Sequence, residues 1–310
     1  MIKVENLTKD YGDRAAIEGL SFEIAKGEIV GFLGPNGAGK TTTMKILTGL
    51  MAPSSGSVLI GGVDIFENPV LAKSKIGYLP ESPPLYLDMK VSSYLKYVAG
   101  LRDVPNSEID AAVDKALASL NLKDVRARLI GNLSKGFRQR VGIAQAIVSD
   151  PEILILDEPT VGLDPKQVAQ FRALLNELKG KHTIVISTHI LPEVQASCER
   201  VIIINNGKIV AKDSLKALSE KSKSGMRRVT FKVQRVKEQI RKDFSSLDFV
   251  KMSAFAGNDL HVDVIGGDGS LEELSSRVVS GGLGLLSMDV SSEKLEDVFI
   301  EITKSKGGSQ

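Results

Sequence analysis

An α/β fold with a largely parallel sheet is predicted by three features of the chain. Short apolar runs recur at Glu28–Gly34, Ser57–Gly62, Glu152–Pro159 and His182–Thr188. Segments of helical periodicity lie between them. A glycine-rich turn, Gly34–Thr41, leads from the first run into the helical stretch Met44–Leu50. Runs of this length, bounded by Gly or Pro, read as strands buried on both faces. Such strands need helices on both sides of their sheet.

The remaining elements follow in order. Ile109, Ala112, Val113, Ala116, Leu117 and Leu120 recur at helical spacing. Residues 85–131 therefore read as a mainly helical insert, with Ser107 and Asp110 as a predicted capping box. At Leu218–Arg228 the composition turns polar and basic, as in a linker. The pattern then restarts. Val229, Phe231 and Val233 alternate, as do Leu260, Val262 and Val264, and Leu286, Met288 and Val290. Helices fit around Glu238–Phe244, over Leu271, Leu274 and Val278, and over Leu295, Val298, Phe299 and Ile302. The expectation is a first domain over 1–220 and, over 221–310, a linker and a small α+β domain of βαββαβ type with a terminal helix.

Composition sets limits on function. The 310 residues carry a net charge of only +2, so composition gives no argument for nucleic acid or anionic lipid, and no nucleic-acid partner is expected. Cys198 is the single cysteine, so no disulfide framework forms within the chain. The opening MIKVENLTKDYG has no apolar signal-peptide core, and no apolar run approaches bilayer length. A cytoplasmic location is expected, with any membrane role depending on another chain.

Two motifs carry chemistry. GPNGAGKT, Gly34 to Thr41, places glycines where backbone N–H groups must converge on phosphate, at the start of a helix whose dipole favours anions. Lys40 is placed to reach the β- and γ-phosphates, and the Thr41 hydroxyl to bind Mg²⁺. Downstream, Asp157 and Glu158 end a buried strand, where α/β sheets open their ligand crevice. Asp157 suits the metal, and Glu158 suits orienting or deprotonating an attacking water. His189 ends another strand and is a candidate contact for the γ-phosphate.

The order of these motifs, with LSKGFRQR (Leu133–Arg140) between them, resembles the nucleotide-binding subunit of an ABC transporter over residues 1–220. The resemblance implies a P-loop ATPase core with a helical subdomain, and ATP with Mg²⁺ as its ligands. Gly34, Asn36, Gly37, Ala38, Gly39, Lys40, Thr41 and Thr42 would hold phosphates and metal, and Tyr11 would stack on adenine. Glu158 would be the catalytic carboxylate, His189 the switch histidine, and Asp164 in GLDP a contact across a dimer. Leu133–Arg140 is similar to the family signature LSGGQ, which completes the site of a second, head-to-tail copy. Ser134 and Gly136 keep the pattern, while Lys135 and Phe137 depart from it. IGYLPE aligns with the family's Q-loop, with Glu81 in place of glutamine, still an oxygen donor for Mg²⁺. The string IGYLPESPPLYLDMKV and the ending KLEDVFIEIT resemble export-type ATPases, including the gliding-motility-associated group.

What the resemblance implies is an ATPase that drives a separate membrane permease from its cytoplasmic face. Two other classes compete: a soluble ABC protein acting on ribosomes or DNA, and a regulatory module that binds ATP without turnover. A single phosphate loop, and too short an interval between Thr42 and Leu133 for a coiled coil, argue against the first. Intact Lys40, Asp157, Glu158 and His189 argue against the second.

Overall fold

The computed structural model describes residues 1–217, 226–265 and 268–292. The chain divides into two compact units, Met1–Leu215 and Lys216–Gln310. The expected linker falls mostly, and the expected terminal helix wholly, outside the described residues.

The first unit runs β1 (Ile2–Tyr11), β2 (Arg14–Ile24), β3 (Ile29–Leu33), α1 (Lys40–Leu47), β4 (Ser55–Ile60), β5 (Val63–Asp64), α2 (Pro69–Ser74) and β6 (Ile76–Leu79). It continues with α3 (Val91–Leu101), α4 (Ile109–Ser119), α5 (Lys135–Ile147), β7 (Ile153–Asp157), α6 (Pro165–Leu178), β8 (Thr183–Thr188), α7 (Leu191–Ser197), β9 (Arg200–Asn205) and β10 (Lys208–Ser214). A six-stranded sheet has the order β10-β9-β3-β8-β7-β6. Its strands β9, β3, β8, β7 and β6 pair in parallel, and β10 pairs antiparallel on the edge. Every residue of β3, β7 and β8 is buried, which explains why these segments read as unbroken apolar runs.

A second sheet departs from the expected plan. β2, β1, β4 and β5 form an antiparallel sheet, so the Ser57–Gly62 run belongs here and not to the parallel sheet. Ile2, Val4 and Leu7 of β1 and Ile17, Leu20, Phe22 and Ile24 of β2 turn inward. They form one core with Met44, Ile46 and Leu47 of α1 and with Ile153, Ile155 and Val185 of the parallel sheet. The helix that follows the phosphate loop is thereby fixed between two sheets.

The helical insert forms as expected, but its predicted capping box does not. Glu108 occupies the N-cap of α4, in right-handed helical geometry and without a side-chain cap. The turn Pro105–Glu108 bonds backbone to backbone, since the Glu108 and Ile109 N–H groups both donate to the Pro105 carbonyl. That leaves no place for Ser107 as a cap.

The second unit forms β11 (Met226–Val233), α8 (Glu238–Ser245), β12 (Val250–Ala256), β13 (Asp259–Ile265), α9 (Asp268–Ser280) and β14 (Leu285–Ser292). The order is therefore βαββαβ, with a sheet β12-β13-β11-β14 whose neighbours are all antiparallel. Val229, Phe231, Leu260 and Val262 pack with Phe244, Leu274 and Val278 from the helices. The alternate positions are polar, with Arg228 paired to Asp263 at 2.6 Å and Thr230 hydrogen-bonded to His261 at 3.0 Å. Sequence reading did not single out Val250–Ala256 as a strand, because Lys251 interrupts its apolar start and Ser253 occupies a buried position.

Two glycines let α5 lie close on β6. A Cβ on Gly77 would run into the Ala146 carbonyl oxygen and come within 2.8 Å of the Leu154 and Pro151 side chains. One on Gly142 would lie 2.8 Å from Leu79 Cδ1. Gly77→Val is expected to destabilise the protein by about 1–3 kcal/mol through overpacking. Thermal unfolding followed by circular dichroism measures it, and an unchanged midpoint would mean that α5 has room to shift.

Candidate functional site

The phosphate-type loop is shaped by glycines that have no substitute. Gly37 and Gly39 hold φ of 79° and 106°, the left-handed region open to glycine. At Gly39 a Cβ would also lie 2.6 Å from Ile17 Cγ2 and 2.7 Å from the Ala16 carbonyl oxygen. Lys40 begins α1 and turns back over the loop. Its Nζ donates to the carbonyls of Gly34 at 2.8 Å and Pro35 at 3.2 Å, and lies 3.5 Å from Glu158 Oε1. With 6% of its surface exposed, this ammonium is held by the loop it serves.

Parallel pairing of β7 with β8, Asp157 opposite Ser187, brings two carboxylates to the same strand end. Glu158 is the first residue past β7 and holds φ of 49°, uncommon for a side chain of its size. Its N–H donates to the Ser187 carbonyl at 2.9 Å, which fixes this backbone. The Glu158 carboxylate lies 3.0 Å from His189 Nδ1, so a proton on that nitrogen is donated to it. Lys40, Glu158 and His189 therefore form a continuous chain.

Asp157 has no exposed surface, and neither carboxylate oxygen has a hydrogen-bond partner. Burial pushes its pKa above the ordinary aspartate range, and the nearby carboxylates of Glu158 and Glu81 push the same way. The hydroxyls of Ser187 and Thr41 oppose that shift but do not reach hydrogen-bond geometry. A buried, unsatisfied carboxylate beside a threonine hydroxyl suits a hard cation, and Mg²⁺ takes such oxygens while keeping water and phosphate as its other ligands. Among the described residues no cluster of three His, Cys, Asp or Glu side chains forms a self-sufficient metal site.

These groups open into a cleft of about 500 Å³. Asn36, Gly37, Gly39, Lys40, Thr41, Thr42, Glu81, Glu158 and His189 line it, with Ala16 and Val161. Gly34 and Ala38 are buried behind the loop. Tyr11 is not among the lining residues: it is half-exposed at the end of β1, its hydroxyl donating to Met51 Sδ at 2.9 Å. A larger groove, of about 710 Å³ between Lys3, Glu23, Arg200 and Lys212, bears no predicted site residue.

Ser134, Gly136 and Asp164 also lie outside the cleft. Exposed Ser134 is the N-cap of α5, its hydroxyl accepting the Phe137 N–H at 3.4 Å. The Phe137 ring lies 4.2 Å from the Arg140 guanidinium. Exposed Asp164 caps α6 in a capping box with Gln167. Sequence reading missed the groups that join these segments to the site. Gln139 donates to the Pro159 carbonyl at 3.1 Å, and Glu193 accepts from Thr160 and Thr188. Gln139 lay within the quoted signature stretch, whereas Glu193 follows His189 on the next helix with no motif to mark it.

The chain is similar to known proteins over most of its length. The ABC transporter family profile matches residues 17–161. The chain is 30% identical to the uncharacterised ABC transporter ATP-binding protein YxlF of Bacillus subtilis, over 97% of this chain and 99% of that protein. It is 32% identical to the bacitracin transport ATP-binding protein BcrA of Bacillus licheniformis, over 97% of each. The solved dimer of a bacterial ABC transporter cassette is similar with a TM-score of 0.65 at 26% identity, covering 69% of this chain and 99% of that one.

The raised pKa of Asp157 gives a test with a definite sign. The folded chain holds this proton more tightly than the unfolded chain, so the carboxylate costs stability as pH rises above the ordinary aspartate range. At neutral pH and without nucleotide, Asp157→Asn is expected to stabilise the protein by about 1–3 kcal/mol, the cost of an unpaired buried group. The same substitution should remove the added stability that Mg²⁺ confers together with ATP. Thermal melts with and without MgATP check both, and a lower nucleotide-free midpoint would contradict the first.

Proposed function

We propose that Lys40, Glu158 and His189 turn over ATP in this chain, which belongs to the ABC transporter family as an ATP-binding subunit. The protein is an ATPase that energises transport through a membrane-spanning partner, works as a dimer, and uses ATP with Mg²⁺. Among the described residues no helix is long and apolar enough to cross a membrane. We place the subunit on the cytoplasmic face of the membrane, held there by the permease.

The observation that carries the reading is the Lys40–Glu158–His189 chain at the cleft. On ATP binding, Lys40 exchanges its Glu158 contact for phosphate oxygens. The freed Glu158 carboxylate orients the attacking water and takes its proton. His189, bonded to Glu158 through Nδ1, keeps its other ring nitrogen for the γ-phosphate. Thr41 and Asp157 would hold Mg²⁺ with Glu81 near by, and the ion would neutralise charge on the β- and γ-phosphates. Asn36 and Thr42 are assigned to the phosphates by their place in the cleft. Adenine is assigned to Tyr11, whose ring is half-exposed at the end of β1 with Lys9 Nζ 5.7 Å from its centroid.

Ser134 and Gly136 lie outside the cleft of their own subunit, and we assign them to the ATP of the second copy. Asp164 serves the same interface. Outward transport is supported by the resemblance of Ile76–Val91 to export-type ATPases and by the relative named for bacitracin transport. The cargo is chosen by the permease. Residues 1–220 carry the chemistry, while 221–310 contain no catalytic grouping among their described residues and are assigned to regulation or dimer support.

Glu158→Gln is expected to bind ATP while hydrolysing it ~10²–10⁴ times more slowly, the usual loss for a general base. It should accumulate as an ATP-dependent dimer, seen by light scattering beside phosphate release. Wild-type turnover in this variant would remove Glu158 from the mechanism.

The shared site is tested by complementation. Lys40→Ala and Ser134→Arg should each inactivate a homodimer. In a mixed dimer one site combines both defects, and the other joins an intact Lys40 to an intact Ser134. About half of randomly paired dimers are mixed, so activity should exceed that of either parent while staying well below wild type. Mixed dimers that form and show no recovery would mean that each signature serves its own subunit.

A further inference from the structure

We propose that Glu193 is a positioning residue that braces the Glu158 loop against the His189 loop and so sets the geometry of hydrolysis. The Thr160 hydroxyl donates to Glu193 Oε1 at 2.5 Å, and the Thr188 hydroxyl donates to Oε2 at 2.9 Å. Thr160 lies two residues beyond Glu158 and Thr188 one residue before His189. One carboxylate therefore spans the two loops that meet at the Glu158–His189 contact. The bridge is sheltered, with Thr160 7% exposed and Thr188 fully buried.

The brace rests on a fixed base. Glu193 lies in the first turn of α7, and its N–H donates to the Ile190 carbonyl. The next residue, Val194, is buried against β3, so close that a Cβ on Gly31 would lie 2.6 Å from Val194 Cγ1. The Thr188 hydroxyl also accepts the Ile190 N–H at 3.1 Å, which fixes its proton toward Glu193. On the other side the Leu163 N–H donates to the Thr160 carbonyl at 3.0 Å, so holding Thr160 also holds the turn that leads to Asp164. Glu193 itself does not line the cleft and acts through the residues that do.

Both loops emerge from strand ends; the Glu158 N–H bond to Ser187 fixes the backbone at Glu158, but the strand ladder does not extend to Thr160 or His189. The direct Glu158–His189 contact involves two groups that must also serve water and phosphate. A second link, made by side chains that do not line the cleft, keeps the loops in register while that contact changes. The inference rests on the assignment of Glu158 and His189 to hydrolysis.

The test uses basal ATP hydrolysis and equilibrium ATP binding by the full-length chain. Glu193→Ala should lower kcat roughly 10–100-fold, the scale of a small misplacement of catalytic groups. KM for ATP and ATP affinity should stay within about twofold, since the phosphate loop is untouched. Glu193→Gln should restore most of kcat, because its amide oxygen still accepts from Thr188 and its amide N–H can donate to Thr160. Thr160→Val should lower kcat in the wild type and change it little once Glu193 is alanine, the non-additivity expected of one shared bridge. Glu158→Gln, assayed beside these, separates two failures. If it abolishes turnover while Glu193→Ala keeps wild-type kcat, only the brace is overturned. If Glu158→Gln itself keeps turnover, the assignment beneath the brace fails. A glutamine variant as impaired as alanine, with ATP binding lost in both, would make Glu193 a general structural residue and overturn the proposal.

Discussion

Parallel pairing puts Leu33 opposite Thr188 and Asp157 opposite Ser187, so β3, β7 and β8 end at one level. The rest of the site depends on that register. The phosphate-type loop leaves β3, the two carboxylates leave β7, and His189 leaves β8, all on the same edge of the sheet. A slip of one residue in β7 would turn Asp157 to the opposite face and carry Glu158 with it. The register is protected by burial on both faces, since Ile153 and Ile155 face the core of the antiparallel sheet and Leu154 and Leu156 are buried on the other side. The antiparallel sheet matters for the same reason: with α1 held in the core between two sheets, Lys40 has a fixed origin.

The site concentrates costs that the core must offset. Glu158 adopts a left-handed backbone, Asp157 keeps an unpaired buried carboxylate, and Lys40 spends its donors on loop carbonyls. The first two are unfavourable in themselves, and MgATP would supply a cation for Asp157 and phosphate oxygens for Lys40. Such a site has a physical reason to change on nucleotide binding: the groups that hold it in the free state are the ones the ligand recruits. Glu158 is central, because it contacts Lys40 on one side and His189 on the other.

The residues that line the cleft were largely legible in the sequence because their motifs are local. Gly34–Thr41 encodes a turn, a charge and a hydroxyl within one loop, and Asp157–Glu158 marks a strand end by following an unbroken apolar run. The parallel strands and the βαββαβ order of the second unit were readable from periodicity for the same reason. What was not legible depends on partners far apart in sequence. β1 and β2 carry polar residues on their outer face and no motif, so the antiparallel sheet went unread. The Ser57–Gly62 run has the composition of a buried strand, but pairing with β1 decided its sheet. The supposed cap at Ser107 failed because backbone bonds around Pro105 had already shaped that turn. Gln139 bonds to Pro159, 20 positions away, and Glu193 to Thr160, 33 positions away, and no spacing rule links them.

Charge explains why a site of this kind calls for a second subunit. The cleft presents Glu81 and Glu158, with Asp157 behind them, against a single lysine. ATP brings several more negative charges. Loop N–H groups, the start of α1 and a divalent cation offset part of this, and they act on the side where the phosphates enter. On the assignment proposed above, the far side of the γ-phosphate would face carboxylates and His189, and α5 of the second copy would add positive potential there. Its N-terminal dipole is capped by exposed Ser134, and Lys135 adds a full charge where the family pattern has glycine. Neither Ser134 nor Lys135 lines the cleft of its own subunit. In the head-to-tail pairing proposed above, that charge would face the other copy's acidic cleft, and the negative charge of bound nucleotide would strengthen the attraction. Closure would then be favoured by bound ATP.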